Sequence, residues 1–359
     1  MLESFSQHHS RTLDMTKYSF LDDYSEGCHP KILQAMTASN MSQQTAYGND
    51  EYSERARNLI RQHLGNDEAA VYFVAGGTLA NIIIMSSALR SHEAIISPET
   101  GHIAMRETGA IEATGHKIIS VPSADGKLTA ASVEAAVASN AHSPHMAKPR
   151  LVYISNATEA GTVYTKAELQ ALSKTCNSNN LLLMMDGARL GTALTANIND
   201  MSLQDIAELT DIFWIGGTKA GALIGEAIVI PNPALAEDFE FHIKQRGALL
   251  AKGRLLGQQF AELFDQELFF DLCRHCNAMA QKVSTAVIDS GHRLAADTES
   301  NQIFPILPNV MIDKLEEHYA FYRWEKFDDE HSVIRLVTSW ATEETQIDAF
   351  IAAVEKASA

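Results

Sequence analysis

Residues 69–90, "AAVYFVAGGTLANIIIMSSALR", put an apolar run, a glycine pair with a threonine, and a helix-spaced apolar segment end to end. An unbroken apolar run such as 69–74 suits a strand buried on both faces, and the segment from Thr78 onward suits a helix packed against it. Gly76, Gly77 and Thr78 make the turn between them. Such a turn has two uses. It packs a strand closely against a helix, or it opens backbone N–H groups at a helix start to an anion, with the threonine hydroxyl as a further donor.

Six more short apolar runs follow: "EAIIS" (93–97), "KIISV" (117–121), "RLVYIS" (150–155), "LLLMMD" (181–186), "DIFWIG" (211–216) and "EAIVI" (226–230). Between them lie helical patterns, "HIAMRETGAIEATG", "TAASVEAAVAS", "TKAELQALSKTCNSN" and "MSLQDIAEL". Strand and helix in alternation predict an α/β fold with a mostly parallel central sheet. After about residue 235 the pattern changes to a long helical stretch. An aromatic-rich segment, "HYAFYRWEKFDD", and the strand-like "SVIRLVTSW" come next, then a helix opened by Thr342 and Glu344. This predicts a smaller α+β domain, in which Tyr319, Phe321, Tyr322 and Trp324 are expected as core, with the lining of a substrate pocket as the alternative.

Bulk properties exclude several function classes. A formal net charge of −17 leaves no basic surplus to offset phosphate, so no nucleic-acid partner is expected. The opening "MLESFSQHHSRTLDMTKYS" lacks the apolar core of a signal peptide, and no run approaches membrane length. The expected location is the cytoplasm, with no membrane partner. Cys273 and Cys276 form a lone CxxC inside a predicted helix, 267–289, without a second pair to complete a zinc site. No metal is expected, and these read as ordinary helix-face cysteines; with Cys28 and Cys176 they do not make a disulfide scaffold at this length.

Ligands of open α/β sheets gather at the carboxyl ends of the strands, so the residues after each run carry the most information. Asp186 ends "LLLMMD", where a bare carboxylate is costly without a cationic partner, although an N-cap for the following turn is an equal reading. Arg189 follows three residues on and suits either the same cleft or a surface ion pair. Lys219 stands in the glycine-rich "GGTKAGALIGEA", a setting that makes it a candidate for a lowered pKa and covalent attachment to a carbonyl, where most lysines are simply solvated. Each residue is weak evidence alone. Pyridoxal phosphate needs all three features, having a phosphate, a pyridine nitrogen that works protonated beside a carboxylate, and an aldehyde for a lysine.

With these motifs in order, the chain resembles the fold-type I pyridoxal-phosphate enzymes, and within them the low-specificity L-threonine aldolase and β-eliminating lyase family. "DDYSEG" (22–27) is similar to the family's "RSDT" segment, "AYGNDEYS" (46–53) to "VYGDD", "FVAGGTLAN" to its phosphate loop, "HIAMRETGAIEATG" to its cofactor-stacking helix, "MDGARL" to "VDGARI/L", and "TKAGALIGEA" to its lysine turn. The resemblance implies a role for each matching position. Lys219 would hold the cofactor covalently, Asp186 would keep the pyridine nitrogen protonated, and Gly76, Gly77 and Thr78 would hold the phosphate. His102 would stack on the ring and serve as acid/base or position a water; alone, it would read as a helix-start residue. Arg189, Arg335 and Ser25 would grip the substrate carboxylate. The family's "GGGMR", whose arginine reaches a neighbouring subunit's phosphate, is replaced by "ALLAKGR", leaving Lys252 or Arg254 for that role. Gly76 stands where the family usually has a hydroxyl residue, and "GGTKAGAL" where many aldolases have "SKGLGAP".

The resemblance implies aldol cleavage of L-threonine, L-allo-threonine or a related β-hydroxy amino acid to glycine and an aldehyde. β-Elimination or transamination on the same site is the alternative. It also implies a homodimer or homotetramer with shared active sites. The expected domains are 1–39 as a segment packing on the small domain and active site, 40–255 as the cofactor-binding domain, and 256–359 as the small domain.

Overall fold

The computed structural model describes residues 17–358, so most of the opening stretch examined for a signal peptide lies outside the described residues. Two compact units make up the described chain. One comprises the residues up to Glu26 and those from Cys273 onward, and the other is Gly27–Leu272. Strand β1 (Tyr18–Ser19) opens the chain and belongs to the first.

In the larger unit, α1 (Pro30–Ser39) and α2 (Glu51–Leu64) precede a seven-stranded sheet. Its strands are β2 (Ala70–Val74), β3 (Glu93–Pro98), β4 (Lys117–Val121), β5 (Lys148–Ser155), β6 (Leu182–Asp186), β7 (Ile212–Gly216) and β8 (Glu226–Ile230). They lie in the order β2-β8-β7-β6-β5-β3-β4. Only β8 is reversed: it pairs antiparallel with β2 and β7, and the other pairings are parallel. Every residue of β6, β7 and β8 is buried, which is why their sequences run apolar without alternation. The expected α/β architecture is therefore present.

Helices α3 (Gly77–Ala88), α4 (His102–Met105), α5 (Ala130–Ser139), α6 (Lys166–Ser178), α7 (Leu190–Leu194), α8 (Leu203–Leu209), α9 (Phe239–Gln245) and α10 (Arg254–Phe264) complete this unit. Capping boxes start α5 at Thr129 and Ser132, α6 at Thr165 and Glu168, and α8 at Ser202 and Asp205. In each, a side-chain oxygen meets an N–H that the helix leaves unpaired. Helix α3 buries Ile83, Ile84 and Met85 in one core with Val74, Ile95, Tyr153, Trp214 and Ile228.

The chain winds outward from β3 to β4, then returns past β3 to lay β5, β6 and β7 on the other side. The carboxyl ends of β3 and β5 thus flank a topological switch point, where an open parallel sheet forms a crevice.

One expected helix is broken. "HIAMRETGAIEATG" gives only the four-residue α4 and a 3₁₀ turn at Glu112–Thr114. Between them Thr108 and Gly109 take positive φ, 54° and 74°, a conformation that cannot continue a right-handed helix. The break turns Glu107 inward.

The smaller unit contains most of α11 (Leu268–Asp289), then β9 (Arg293–Leu294), β10 (Gln302–Ile303), β11 (Pro305–Pro308), α12 (Asn309–Leu315), β12 (Tyr319–Ala320), β13 (Tyr322–Lys326), β14 (His331–Val337) and α13 (Glu344–Ser358). Strand β14 pairs antiparallel with β10, β11 and β13, β11 pairs with β9, and β1 lies parallel to β12. Phe20, Ile312, Phe321, Ile334, Leu336 and Phe350 share its core. Tyr319 and Phe321 are core as expected, but Trp324 is 40% exposed, its ring 5.4 Å from the Arg335 guanidinium carbon. Thr342 does not cap α13: its hydroxyl accepts from the Ser339 N–H at 2.7 Å. Cys273 and Cys276 are buried, and burial pushes both thiols up, so they stay protonated and inert.

Candidate active site

Because only β8 is reversed, one edge of the larger sheet collects the carboxyl ends of six strands and the amino end of the seventh. Gly76 and Gly77 follow β2 there, His102 follows β3, Asp186 ends β6 and Lys219 follows β7. Five of the sequence-predicted positions therefore share one edge, with Thr78 and Arg189 beside them.

Gly76 is extended (φ −177°) at the N-cap of α3. A Cβ on Gly77 would lie 2.7 Å from Trp214 Cη2, so glycine lets the helix start settle on the indole. The first N–H groups of α3 point off its end, where an anion is favoured by both hydrogen bonding and helix dipole. Gly77→Ala is expected to push the helix start outward at about 1–3 kcal/mol of overpacking, and to weaken cofactor binding roughly tenfold or more. Fluorescence titration with pyridoxal phosphate measures this.

Asp186 is 3% exposed, and among the described residues its carboxylate hydrogen-bonds only to donors. Oδ2 accepts from Tyr153 Oη at 2.7 Å and Asn81 Nδ2 at 3.2 Å, and Oδ1 accepts from the Ala188 N–H at 3.0 Å. An ionised carboxylate offers about four acceptor positions, so one remains for a cationic ring N–H. Burial and the Asp186 charge push the Tyr153 hydroxyl well up, keeping it a donor.

His102, half-exposed at its side chain, is held at two points. Its Nδ1 lies 2.9 Å from Glu107 Oε1, and its backbone N–H donates to Glu159 Oε1 at 3.0 Å. Glu159, four residues beyond Ser155, the β5 residue paired with Asp186, also accepts from Ser155 Oγ at 2.9 Å. Desolvation and the nearby Asp186 raise its carboxyl above the usual range. Asn156 Nδ2 and Glu159 Oε2 are buried without a hydrogen-bond partner among the described residues. Unspent polar atoms beside the switch point suit a polar ligand.

Lys219 sits half-buried in the 3₁₀ turn Thr218–Ala220. Glu226, the first residue of reversed β8, pairs with Gly216 on one side and Val74 on the other. Its Oε2 accepts from the Gly217 N–H at 3.0 Å and its Oε1 from Thr218 Oγ1 at 3.1 Å, so one buried carboxyl builds the lysine turn. Burial pushes Glu226 up to about 8, against the Lys219 charge and these two hydrogen bonds, which pull it down. A carboxyl raised by folding contributes stability that is complete below its unfolded value and lost as pH rises through the folded one. Between those limits, ending near the folded value of about 8, the wild type is expected to lose stability on the order of a few kcal/mol. Glu226→Gln should flatten that slope, as urea unfolding at about pH 6 and about pH 9 will register.

Arg189 is half-buried at the start of α7. Arg254 donates to the carbonyl oxygens of Asn40 and Ser42 at 3.0 and 2.7 Å, tying down the end of α1. Lys252, in contrast, is exposed. Its neighbour Gly253 meets Gly48 so closely that a Cβ would lie 2.5 Å from the Gly48 nitrogen, and the Tyr47 N–H donates to the Ala251 carbonyl at 3.0 Å. "AYGNDEYS" and the Lys252 turn thus form one surface. Ser25 and Arg335 belong to the smaller unit. Ser25 is exposed, and Arg335 donates from Nε and Nη2 to Gln302 Oε1 at 3.1 and 2.7 Å.

Sequence reasoning missed Asn81, Glu107, Tyr153, Glu159 and Glu226. Asn81 had a signal, lying on the first turns of the helix after the glycine pair. The others depend on strand register, the reversal of β8, or the break after α4. Together the edge offers an anion-binding helix start, an acceptor carboxylate, a lysine and a flat imidazole, a donor set that fits pyridoxal phosphate.

The family model for beta-eliminating lyases matches residues 20–302. A low specificity L-threonine aldolase of a Pseudomonas species is 35% identical over 343 residues, 93% of this chain and 96% of that protein. A solved threonine aldolase of Leishmania major superposes with a TM-score of 0.94 at 49% identity, covering 95% of this chain and 100% of that one. A mutant aspartate aminotransferase of Thermus thermophilus, 14% identical with a TM-score of 0.70 over 95% of this chain and 92% of its own, shares the fold alone. The family match takes in every strand of the larger sheet, and the chain belongs to the beta-eliminating lyase family as a fold-type I, pyridoxal-phosphate-dependent lyase of threonine aldolase type.

Proposed function

We propose that this protein cleaves the Cα–Cβ bond of a β-hydroxy-α-amino acid, L-threonine and L-allo-threonine first among them, to glycine and an aldehyde. The carrying observation is the placement of donor-surrounded Asp186, carboxyl-braced His102 and Lys219 on one sheet edge. The threonine aldolase names of the Pseudomonas and Leishmania relatives support the choice of substrate.

When bound, pyridoxal phosphate supplies an electron-poor ring that takes up charge developing on the substrate's α-carbon. Lys219 would hold its aldehyde carbon, Asp186 would keep the proton on its ring nitrogen, and Gly76, Gly77 and Thr78 would hold its phosphate. Arg189, Arg335 and Ser25 we assign to the substrate carboxylate, because a planar guanidinium fork matches it and fixes which bond can break. His102 would stand against the ring's face and take the β-hydroxyl proton directly or through a water. The aldehyde then leaves, and a proton returned to the α-carbon completes glycine.

Lys252 is our choice for the residue that reaches the phosphate of a neighbouring subunit, since Arg254 is spent on the end of α1. That choice makes the working protein a homodimer or homotetramer. No helix among the described residues is long and apolar enough to cross a membrane, and we assign the enzyme to the cytoplasm. Acetaldehyde released from L-allo-threonine by the cofactor-loaded protein, followed with a coupled alcohol dehydrogenase, tests the activity. Its absence from both threonine isomers would exclude them as substrates.

A further inference from the structure

Within "HIAMRETGAIEATG" only His102 carried an expected role, yet Glu107 lies at the centre of the site's hydrogen bonding. Its side chain is fully buried, at 0% exposure, and Oε1 accepts from Asn81 Nδ2 at 2.8 Å while facing His102 Nδ1 at 2.9 Å. Asn81 is fixed in turn, because its Oδ1 accepts from Trp214 Nε1 at 3.1 Å and its Nδ2 also reaches Asp186 Oδ2 at 3.2 Å. Glu107 Oε2 is buried without a hydrogen-bond partner among the described residues. A carboxyl placed for stability alone would satisfy both oxygens, so its position calls for another account.

We propose that Glu107 is a positioning residue for His102, fixing both the plane of the imidazole and the nitrogen that carries its proton. His102 begins a four-residue helix and its side chain is 42% exposed, so little else restrains its two side-chain torsions. A carboxylate accepts and does not donate, which requires the proton of the neutral ring to sit on Nδ1. Nε2 is then left with its lone pair, ready to take a proton. The same Asn81 amide touches both Glu107 and Asp186, so the carboxyl behind His102 and the carboxylate we assign to the ring nitrogen are registered to one anchor. The break after α4 is what makes this contact possible, since Thr108 and Gly109 turn the chain at positive φ just beyond Glu107.

The inference rests on the proposed role of His102 in the reaction, and its test separates the two. In ¹⁵N-histidine-labelled holoenzyme at a pH where the ring is neutral, with His102 assigned through His102→Gln, the ring nitrogens report the tautomer. We expect the proton on Nδ1 in the wild type and in Glu107→Gln, whose amide oxygen can still accept, and on Nε2 in Glu107→Ala. Turnover of L-allo-threonine should fall roughly 10–100-fold in Glu107→Ala, with KM changed far less, and recover most of that loss in Glu107→Gln. A His102 proton on Nε2 in the wild type overturns the proposal even if Glu107→Ala fails to fold. So does an unchanged tautomer in Glu107→Ala, or a Glu107→Gln variant as impaired as alanine. If the wild type does not cleave threonine, the reaction assignment fails while the tautomer still decides the role of Glu107.

Discussion

Lys219→Ala is expected to lower turnover by on the order of 10⁴-fold or more, the scale on which loss of a covalent nucleophile acts. The reason is local. Lys219 rides on a 3₁₀ turn whose Gly217 N–H and Thr218 hydroxyl are both fixed by the Glu226 carboxyl, so the ammonium stem is delivered from a rigid strand end. Alanine removes the amine and leaves the two Glu226 hydrogen bonds to the turn in place. Borohydride reduction of the holoenzyme followed by peptide mass analysis should tag Lys219 in the wild type and nothing in the variant. A tag on another lysine would move the assignment.

Asp186 carries the second large effect. All three of its hydrogen-bonding partners, Tyr153, Asn81 and the Ala188 N–H, are donors. Asp186→Ala removes the acceptor we assign to the ring nitrogen and should cost roughly 10²–10³-fold in turnover, as loss of one preorganised electrostatic partner does. Asp186→Asn adds a structural fault, because its NH₂ must face a donor. That mismatch is worth about 1–3 kcal/mol in a buried site. The asparagine variant is therefore expected to be less stable as well as slow, and thermal unfolding of the apoprotein separates the two losses.

The strands were legible because burial on both faces writes them as apolar runs. Each of the seven runs begins and ends within two residues of a strand of the larger sheet. Asp186 was legible for the same reason, as a charge ending such a run. Strand direction and order left no local trace. Glu226 reaches the working edge only because β8 is reversed, and Tyr153 reaches Asp186 only through the β5–β6 pairing. The stretch after His102 misled for a different reason. Ile103 and Ile111 are buried at spacing that fits a helix, while positive φ at Thr108 and Gly109 breaks it and sends Glu107 inward. A pairing made across such a break has no periodicity to reveal it. The aromatics 319–324 were read as one core group, but every residue of β13 after Tyr322 is exposed, and Trp324 lies on the surface with the Arg335 guanidinium over its ring.

The most direct test of the proposed chemistry is a complete product balance. Cofactor-loaded enzyme is incubated with L-threonine and with L-allo-threonine, and glycine, acetaldehyde, 2-oxobutanoate and ammonia are all quantified. Glycine and acetaldehyde in equal amounts, absent with Lys219→Ala, are the predicted result. Equal amounts of 2-oxobutanoate and ammonia would contradict it and assign the same residues to elimination.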